Sequence, residues 1–301
     1  MLYKIIGDSC MDLTEELKLD PHFQMIPLTL QIGDYKVTDD ETFNQKEFLA
    51  KVKASPECPK TACPSPESFK EAFEGEAEYI FVVTLSNHLS GCYNSAALAK
   101  RLYEEENGTD GKKIAVIDSL SASAGELNIA LFIRDLCEKG LPFEEICRQT
   151  EAYRDSMNTY FVIETLDFLK KNGRLTGLTA FIASALNIKP VMGADSGTII
   201  KLDQARGMTR ALDRMAEIAC KEGGDTASKR LVIAHCNNLE RAEHVKEIMC
   251  KRANFREVVI TNTAGVATVY AGDGGIVMTL SRERVGDDSW KGGKRRTAAI
   301  D

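Results

Sequence analysis

Hydroxyl groups crowd one short stretch of this chain. Residues 84–100 read TLSNHLSGCYNSAALAK, with Ser86, Ser90, Gly91, Asn94 and Ser95 at the junction between an apolar run and an alanine-rich helical pattern. A helix N-terminus offers unpaired N–H groups and about half a positive charge. Hydroxyl donors added there make a place for an anionic oxygen pair, and Gly91 allows close approach of the backbone. The plainer alternative is that Ser90 or Asn94 only caps the helix.

Ser90 could instead be a nucleophile, which would require a base placed to take its proton. The G-x-S-x-G elbow is absent, His88 stands only two residues away, and the chain has four histidines in all. His235 ends an apolar run and could approach the same region. No strand is followed by G-x-G-x-x-G, and GxxxxGK[ST] is missing, so a nucleotide-phosphate cradle has little support. Arg174 in NGRLTG and Arg206 in DQARG lie in glycine-bounded turns, where a guanidinium can fork onto phosphate or carboxylate or simply face water.

The elements that must carry these groups follow a repeated order of strand, serine turn and helix. YKIIGDS leads to MDLTEELKL, YIFVVTLS to NSAALAKRLYEEE, and KIAVIDS to GELNIALFIRDLCEKG. Unalternating apolar runs followed by helices predict buried parallel strands in an open sheet with helices on both faces. The turns after such strands gather on one edge, where ligands bind. Asp8-Ser9, Ser86 with Ser90, and Asp118-Ser119 are therefore expected to face a common crevice. Thr61 precedes a proline-rich turn in TACPSPESF, after which Ser65 or Ser68 caps a helix with Pro66 in its first turn.

From Phe143 onward the pattern changes. An amphipathic helix leads to the strand TYFVIET, then to a short helix ended by Gly173, and then to LTAFIASALNIKP, an apolar face stopped by Pro190. SGTIIKLDQARG reads as a hairpin strand, ALDRMAEIACKEGG as an amphipathic helix, and residues 229–263 as one more strand–helix–strand unit. This predicts a two-domain α/β protein: an N-terminal domain over 1–158, a C-terminal α/β domain over 159–281, and a loosely attached tail over 282–301.

Composition narrows the function classes. The 301 residues are 44% hydrophobic and 28% charged, with a net charge of −7. That balance argues against a nucleic-acid binder, and no segment has the length of a membrane span. The start MLYKIIGDS lacks the basic and apolar regions of a signal peptide, which predicts a cytoplasmic protein. Nine scattered cysteines without a CxxC read as reduced thiols, with neither a disulfide framework nor a metal site expected.

Taken together, these stretches resemble the DegV family. Asp8-Ser9 after the first strand, Thr61 before its proline turn, LSGCYNSA, VIDS, ETLDFLKKNGRLT, NIKP and ARG occur in that family's order, from about Lys4 to Leu280. The resemblance implies two α/β domains with a tunnel between them holding a long-chain fatty acid. It implies that Thr61, Ser90 and the Gly91 amide hold the carboxylate, with Asn94, Ser119 and Tyr270 as further ligand-site candidates. It also implies a separate fatty acid kinase, dihydroxyacetone-kinase-like, which phosphorylates the bound acid for phospholipid synthesis and is faced by Arg174 and Arg206. No cofactor is implied. Tyr270 stands where the family often has a carboxylate-facing histidine, Gln204 replaces a lysine, and TACPS replaces TSQPS.

A lipid cargo is physically reasonable. About 14 buried methylenes offer on the order of 11 kcal/mol before binding costs, against about 1.5–3 kcal/mol for a hydrogen bond to a charged group. The tail would supply affinity and the serine turn orientation. The expected tunnel wall is Phe161, Ile163, Leu166, Phe181, Ile182, Leu186 and Ile188, residues equally suited to an ordinary core. Two other readings stay open: an independent enzyme on a small carboxylate or phosphorylated substrate using Asp8, Asp118 and Ser90, and an interaction module with a vestigial lipid site.

Overall fold

Strands of the N-terminal half are apolar at consecutive positions because each serves two cores. A computed structural model describes residues 2–108, 111–175 and 187–281. In it Tyr3–Asp8 (β1), Phe23–Ile26 (β2), Tyr79–Thr84 (β6) and Lys113–Asp118 (β7) form an all-parallel sheet in the order β2, β1, β6, β7. Ile5, Phe81, Val83 and Ile117 point to one face, and Ile6, Ile80, Val82 and Ile114 to the other. The second face is covered by Pro66–Glu71 (α3) and Cys92–Asn107 (α4), through Phe69 and Ala96.

The first face is covered by Ala124–Glu138 (α5), which is buried almost all round. Its other side meets Val232 and Ala234 of a second sheet, so α5 is the layer shared by both lobes. That sheet has six strands: Met157–Val162 (β8), Ile188–Asp195 (β9), Thr198–Arg206 (β10), Arg230–His235 (β11), Glu257–Asn262 (β12) and Ile276–Ser281 (β13). Their order is β10, β9, β8, β13, β11, β12, and within this sheet the β11–β12 pair is parallel. Leu239–Arg252 (α9) connects that pair, as the strand–helix–strand pattern predicts. Met208–Gly223 (α8) packs Leu212, Met215, Ala216 and Ala219 on the outer face, and Phe143–Ser156 (α6) leads into β8.

Several elements differ from the sequence expectation. Residues 29–62 form a small antiparallel sheet of Thr29–Ile32 (β3), Tyr35–Thr38 (β4) and Lys60–Ala62 (β5), with Gln45–Ala54 (α2) between β4 and β5. Its strands are only three or four residues long, too short for a periodic signal. The helix after β1 shrinks to Glu15–Lys18 (α1), because Met11 and Leu13 are buried in the turn before it. Of the apolar stretch expected to stop at Pro190, residues 176–186 fall outside the described residues, and Pro190 itself ends no element. It sits inside β9 opposite Gln204, beyond the stretch where β8 pairs with β9, so its missing N–H costs no bond to β8. The 282–301 tail lies outside the described residues.

The lobes do not divide cleanly in sequence. Gly265–Ala271 (α10) follows β12 yet packs Val266 and Val269 among Leu28, Leu30, Phe48 and Leu85 of the first lobe. Two buried carboxyls hold its start. Asp12 accepts the Ala264 N–H at 2.6 Å, and Asp39 accepts those of Gly265 and Val266 at 2.6 and 2.8 Å. Gln45 on α2 adds hydrogen bonds to Thr263 and Thr268.

Candidate functional site

Between the lobes lies an apolar cavity of about 850 Å³, counting the part that opens to solvent. Its floor is β8 and the residue after it: Thr159 and Phe161 in the strand and Ile163 just beyond its end all line the cavity. Leu169, close after the start of Asp167–Lys171 (α7), and Val277 of β13 continue the second-lobe wall. Leu28, Leu85, Leu89 and Leu120 close it from the first lobe, and Val266, Ala267, Tyr270 and Ala271 from α10. Phe161 and Ile163 thus lie in the wall as the sequence suggested. Leu166 is buried in the adjoining apolar cluster, Ile188 is half-buried in β9, and neither lines the cavity. Phe181, Ile182 and Leu186 fall outside the described residues.

Polar groups converge where the cavity meets its half-exposed residues. Thr61 on β5 and Tyr270 on α10 are joined by a 3.0 Å hydrogen bond between their hydroxyls. Ser90 lines the same cavity, and so does Arg174, whose guanidinium lies 5.7 Å from the centre of the Tyr270 ring. Arg174 donates to the carbonyls of Leu89, at 3.1 Å, and Asn172, which fixes the guanidinium against the serine turn.

Ser90 does not cap α4 in the ordinary way. Gly91 is the N-cap and receives no side-chain bond, so the first N–H groups of the helix stay largely unclaimed. Ser90 Oγ contacts Cys92 Sγ at 3.2 Å and receives only a long 3.4 Å contact from the Cys92 N–H. Cys63 packs against Gly91, where an added Cβ would meet its sulfur at 3.3 Å.

The remaining candidates are placed elsewhere. Asn94 is exposed on α4 and outside the lining. Ser119 is buried and donates to the Ser121 carbonyl at 3.1 Å, so its hydroxyl shapes the turn that brings Leu120 and Ser121 to the cavity. Arg206 is exposed at the end of β10, whereas Arg174, read from the sequence as partner-facing, lines the cavity.

Asp8 and Asp118 hold turns together. Asp8 accepts the N–H groups of Cys10 and Leu85 at 3.0 and 2.8 Å, and Asp118 those of Asn87 and Leu120 at 3.2 and 3.0 Å. Burial is the main cause that pushes Asp8 up to about 6, Asp39 to about 6 and Asp12 to about 8, and it drives Glu126 well above the carboxylate range. Among the described residues no histidine hydrogen-bonds Ser90, so the nucleophile reading lacks its base.

A further set of hydroxyls was not foreseen. Ser121, Ser123 and Thr159 also line the cavity. The alternation of Thr159 and Phe161 along β8, continued by Ile163 just past its end, was the available signal, since period-two residues share a face.

Against this geometry the comparisons are decisive. A family model described as "Uncharacterised protein, DegV family" matches residues 3–281. The chain belongs to the DegV family. A DegV domain-containing protein of Streptococcus pneumoniae is 36% identical over 282 residues, covering 92% of this chain and 98% of that protein. Among solved structures, a DegV family protein from Ruminococcus gnavus refined with vaccenic acid is 47% identical with a TM-score of 0.89, covering 92% of this chain and 99% of that one. The Fatty Acid Kinase (Fak) B3 protein of Streptococcus pneumoniae, loaded with linoleic acid, is 33% identical with a TM-score of 0.84, covering 94% and 100%. The two-lobed α/β architecture is therefore the DegV fold. Among the described residues no helix is long and apolar enough to cross a membrane.

Proposed function

We propose that this DegV protein binds one long-chain fatty acid in the interlobe cavity and presents its carboxylate to a separate fatty acid kinase. The observation that carries the reading is one cavity with carbon walls and a cluster of Thr61, Ser90, Tyr270 and Arg174. An acyl chain gains about 0.8 kcal/mol per buried methylene from such walls. The hydroxyls and the unclaimed N–H groups at Gly91 orient the acid end. Tyr270 donates a hydrogen bond but has no cationic form, so the positive charge for the carboxylate comes from the Arg174 guanidinium in the same lining.

Family relatives solved with vaccenic and linoleic acids support the cargo. The kinase partner rests on the name of the pneumococcal Fak B3 protein and on exposed Arg206, which stands free to meet another surface. The nine free thiols, four of them buried, fit a reducing cytoplasm. In this reading the chain makes and breaks no covalent bond; the phosphoryl transfer belongs to the kinase.

The test is organic extraction of freshly purified protein followed by mass spectrometry. About one fatty acid per chain is expected, and delipidated protein should be stabilised by added oleate or palmitate. A protein that carries no lipid and whose melting is indifferent to added acid would exclude the reading. Acyl-phosphate formation with a fatty acid kinase and ATP then tests the partner, with Arg206→Glu expected to slow the reaction while leaving acid binding unchanged.

A further inference from the structure

The cavity has a second polar pole. Ser121 Oγ and Thr159 Oγ1 lie 2.5 Å apart, joining the first lobe to β8, and both residues line the cavity. They are 3% and 7% exposed. Two hydroxyls bring two hydrogens, and their mutual bond uses one. Among the described residues neither hydroxyl oxygen has another partner, so one O–H remains without an acceptor in the wall of an apolar space. The neighbouring Ser123 differs, since its hydroxyl is given to Asp12.

The pole stands apart from the carboxylate end. Thr159 in β8 and Ile163, the residue just after its end, are four residues apart, about 13 Å where the chain stays extended at 3.3 Å per residue. Tyr270 belongs with the Ile163 end: α10 runs out through Gly272 to Gly275 into Ile276, which pairs with Val162. An acid held at Thr61 and Tyr270 therefore brings the middle of its chain, and not its first carbons, to the Ser121–Thr159 pair.

We infer that the Ser121–Thr159 pair is a subsite for an oxygen carried in mid-chain, so that this protein accepts hydroxy or oxo fatty acids alongside plain ones. The inference rests on the lipid-binding reading above. A plain chain leaves the spare O–H unmatched, whereas a mid-chain oxygen accepts it. Without that partner, a hydroxyl buried in a carbon-walled cavity would be strongly disfavoured.

The test compares acids that differ by one hydroxyl: ricinoleic against oleic acid, and 10-hydroxystearic against stearic acid, binding delipidated full-length protein. Wild-type protein is expected to bind at least one hydroxy acid within about threefold of its parent. Ser121→Ala and Thr159→Val should each lower the ratio of hydroxy-acid to parent-acid affinity by about tenfold, whatever either change does to the parent acid, with circular dichroism reporting correct folding. Hydroxy acids bound more than about thirtyfold below their parents by wild type would overturn the subsite, as would a ratio that both variants leave unchanged. Failure of oleate and stearate to bind as well would remove the lipid reading itself, and the subsite with it.

Discussion

The Tyr270 hydroxyl on α10 and the Thr61 hydroxyl on β5 stand 3.0 Å apart, closing one end of the cavity with residues 209 positions distant in sequence. The bond ties the returning helix to the small antiparallel sheet. It also presents two hydroxyls side by side at the polar end of the cavity. Tyr270→Phe is expected to lower stability by about 1 kcal/mol and weaken fatty-acid binding by about threefold to tenfold, measured by thermal melting and by titration with a fluorescent acid. Tyr270→His should bind more tightly than the parent chain only as pH falls below about 6.5, where imidazole gains charge.

The buried carboxyls set a pH dependence of stability. Desolvation raises Asp8 and Asp39 to about 6, Asp12 to about 8, and Glu126 further above its ordinary value. A carboxyl whose folded pKa lies above its unfolded one stabilises the fold below the unfolded value, and that stability is lost as pH rises through the folded value. Urea midpoints should therefore fall from about pH 4 upward, as far as about pH 6 for Asp8 and Asp39 and about pH 8 for Asp12, by up to about 1.4 kcal/mol per pH unit for each carboxyl ionised in the unfolded chain and still protonated in the folded one. Asp12→Asn keeps an acceptor for the Ala264 N–H and cannot ionise, so it should flatten the profile. An equally steep profile in that variant would contradict the assignment.

Helix α5 belongs to both cores, and Leu127 on it is fully buried. Leu127→Ala should cost about 3–5 kcal/mol by leaving a cavity between rigid layers. Because the same helix covers both sheets, calorimetry should show one transition shifted downward, with the lobes still unfolding together.

Gly197 has a φ of +82° in the β9–β10 turn, and its carbonyl accepts the Ser86 hydroxyl at 2.9 Å. A Cβ there would stand 2.5 Å from Ser86 Oγ and 3.0 Å from His88. Gly197→Ala combines a left-handed backbone with that crowding, so a loss of about 1–3 kcal/mol is expected in chemical denaturation. Because Gly197 also lines the cavity, fatty-acid affinity should fall with it.

Much of this protein is written locally. The three apolar runs at residues 3–8, 79–84 and 113–118 could be nothing but strands buried on both faces, and the serine turns after them had to share one edge of their sheet. Ser65 before Pro66 starts α3 by accepting the Ser68 N–H on its hydroxyl, and Gly173 after α7 takes a left-handed backbone, both properties of the residue and its immediate neighbours. The motif order from Asp8-Ser9 to Arg206 identified the family, because those residue types recur only where the same turns are needed. What no window of sequence held was the meeting of distant segments. Thr61 reaches Tyr270, Ser121 reaches Thr159, and Asp12 and Asp39 reach the start of α10 only once α5 has been packed between two sheets. Local spacing fixes which face a side chain takes, but long-range packing decides what lies opposite it. The same packing moved Arg174 from an expected outer surface into the cavity wall and left Asn94 facing solvent.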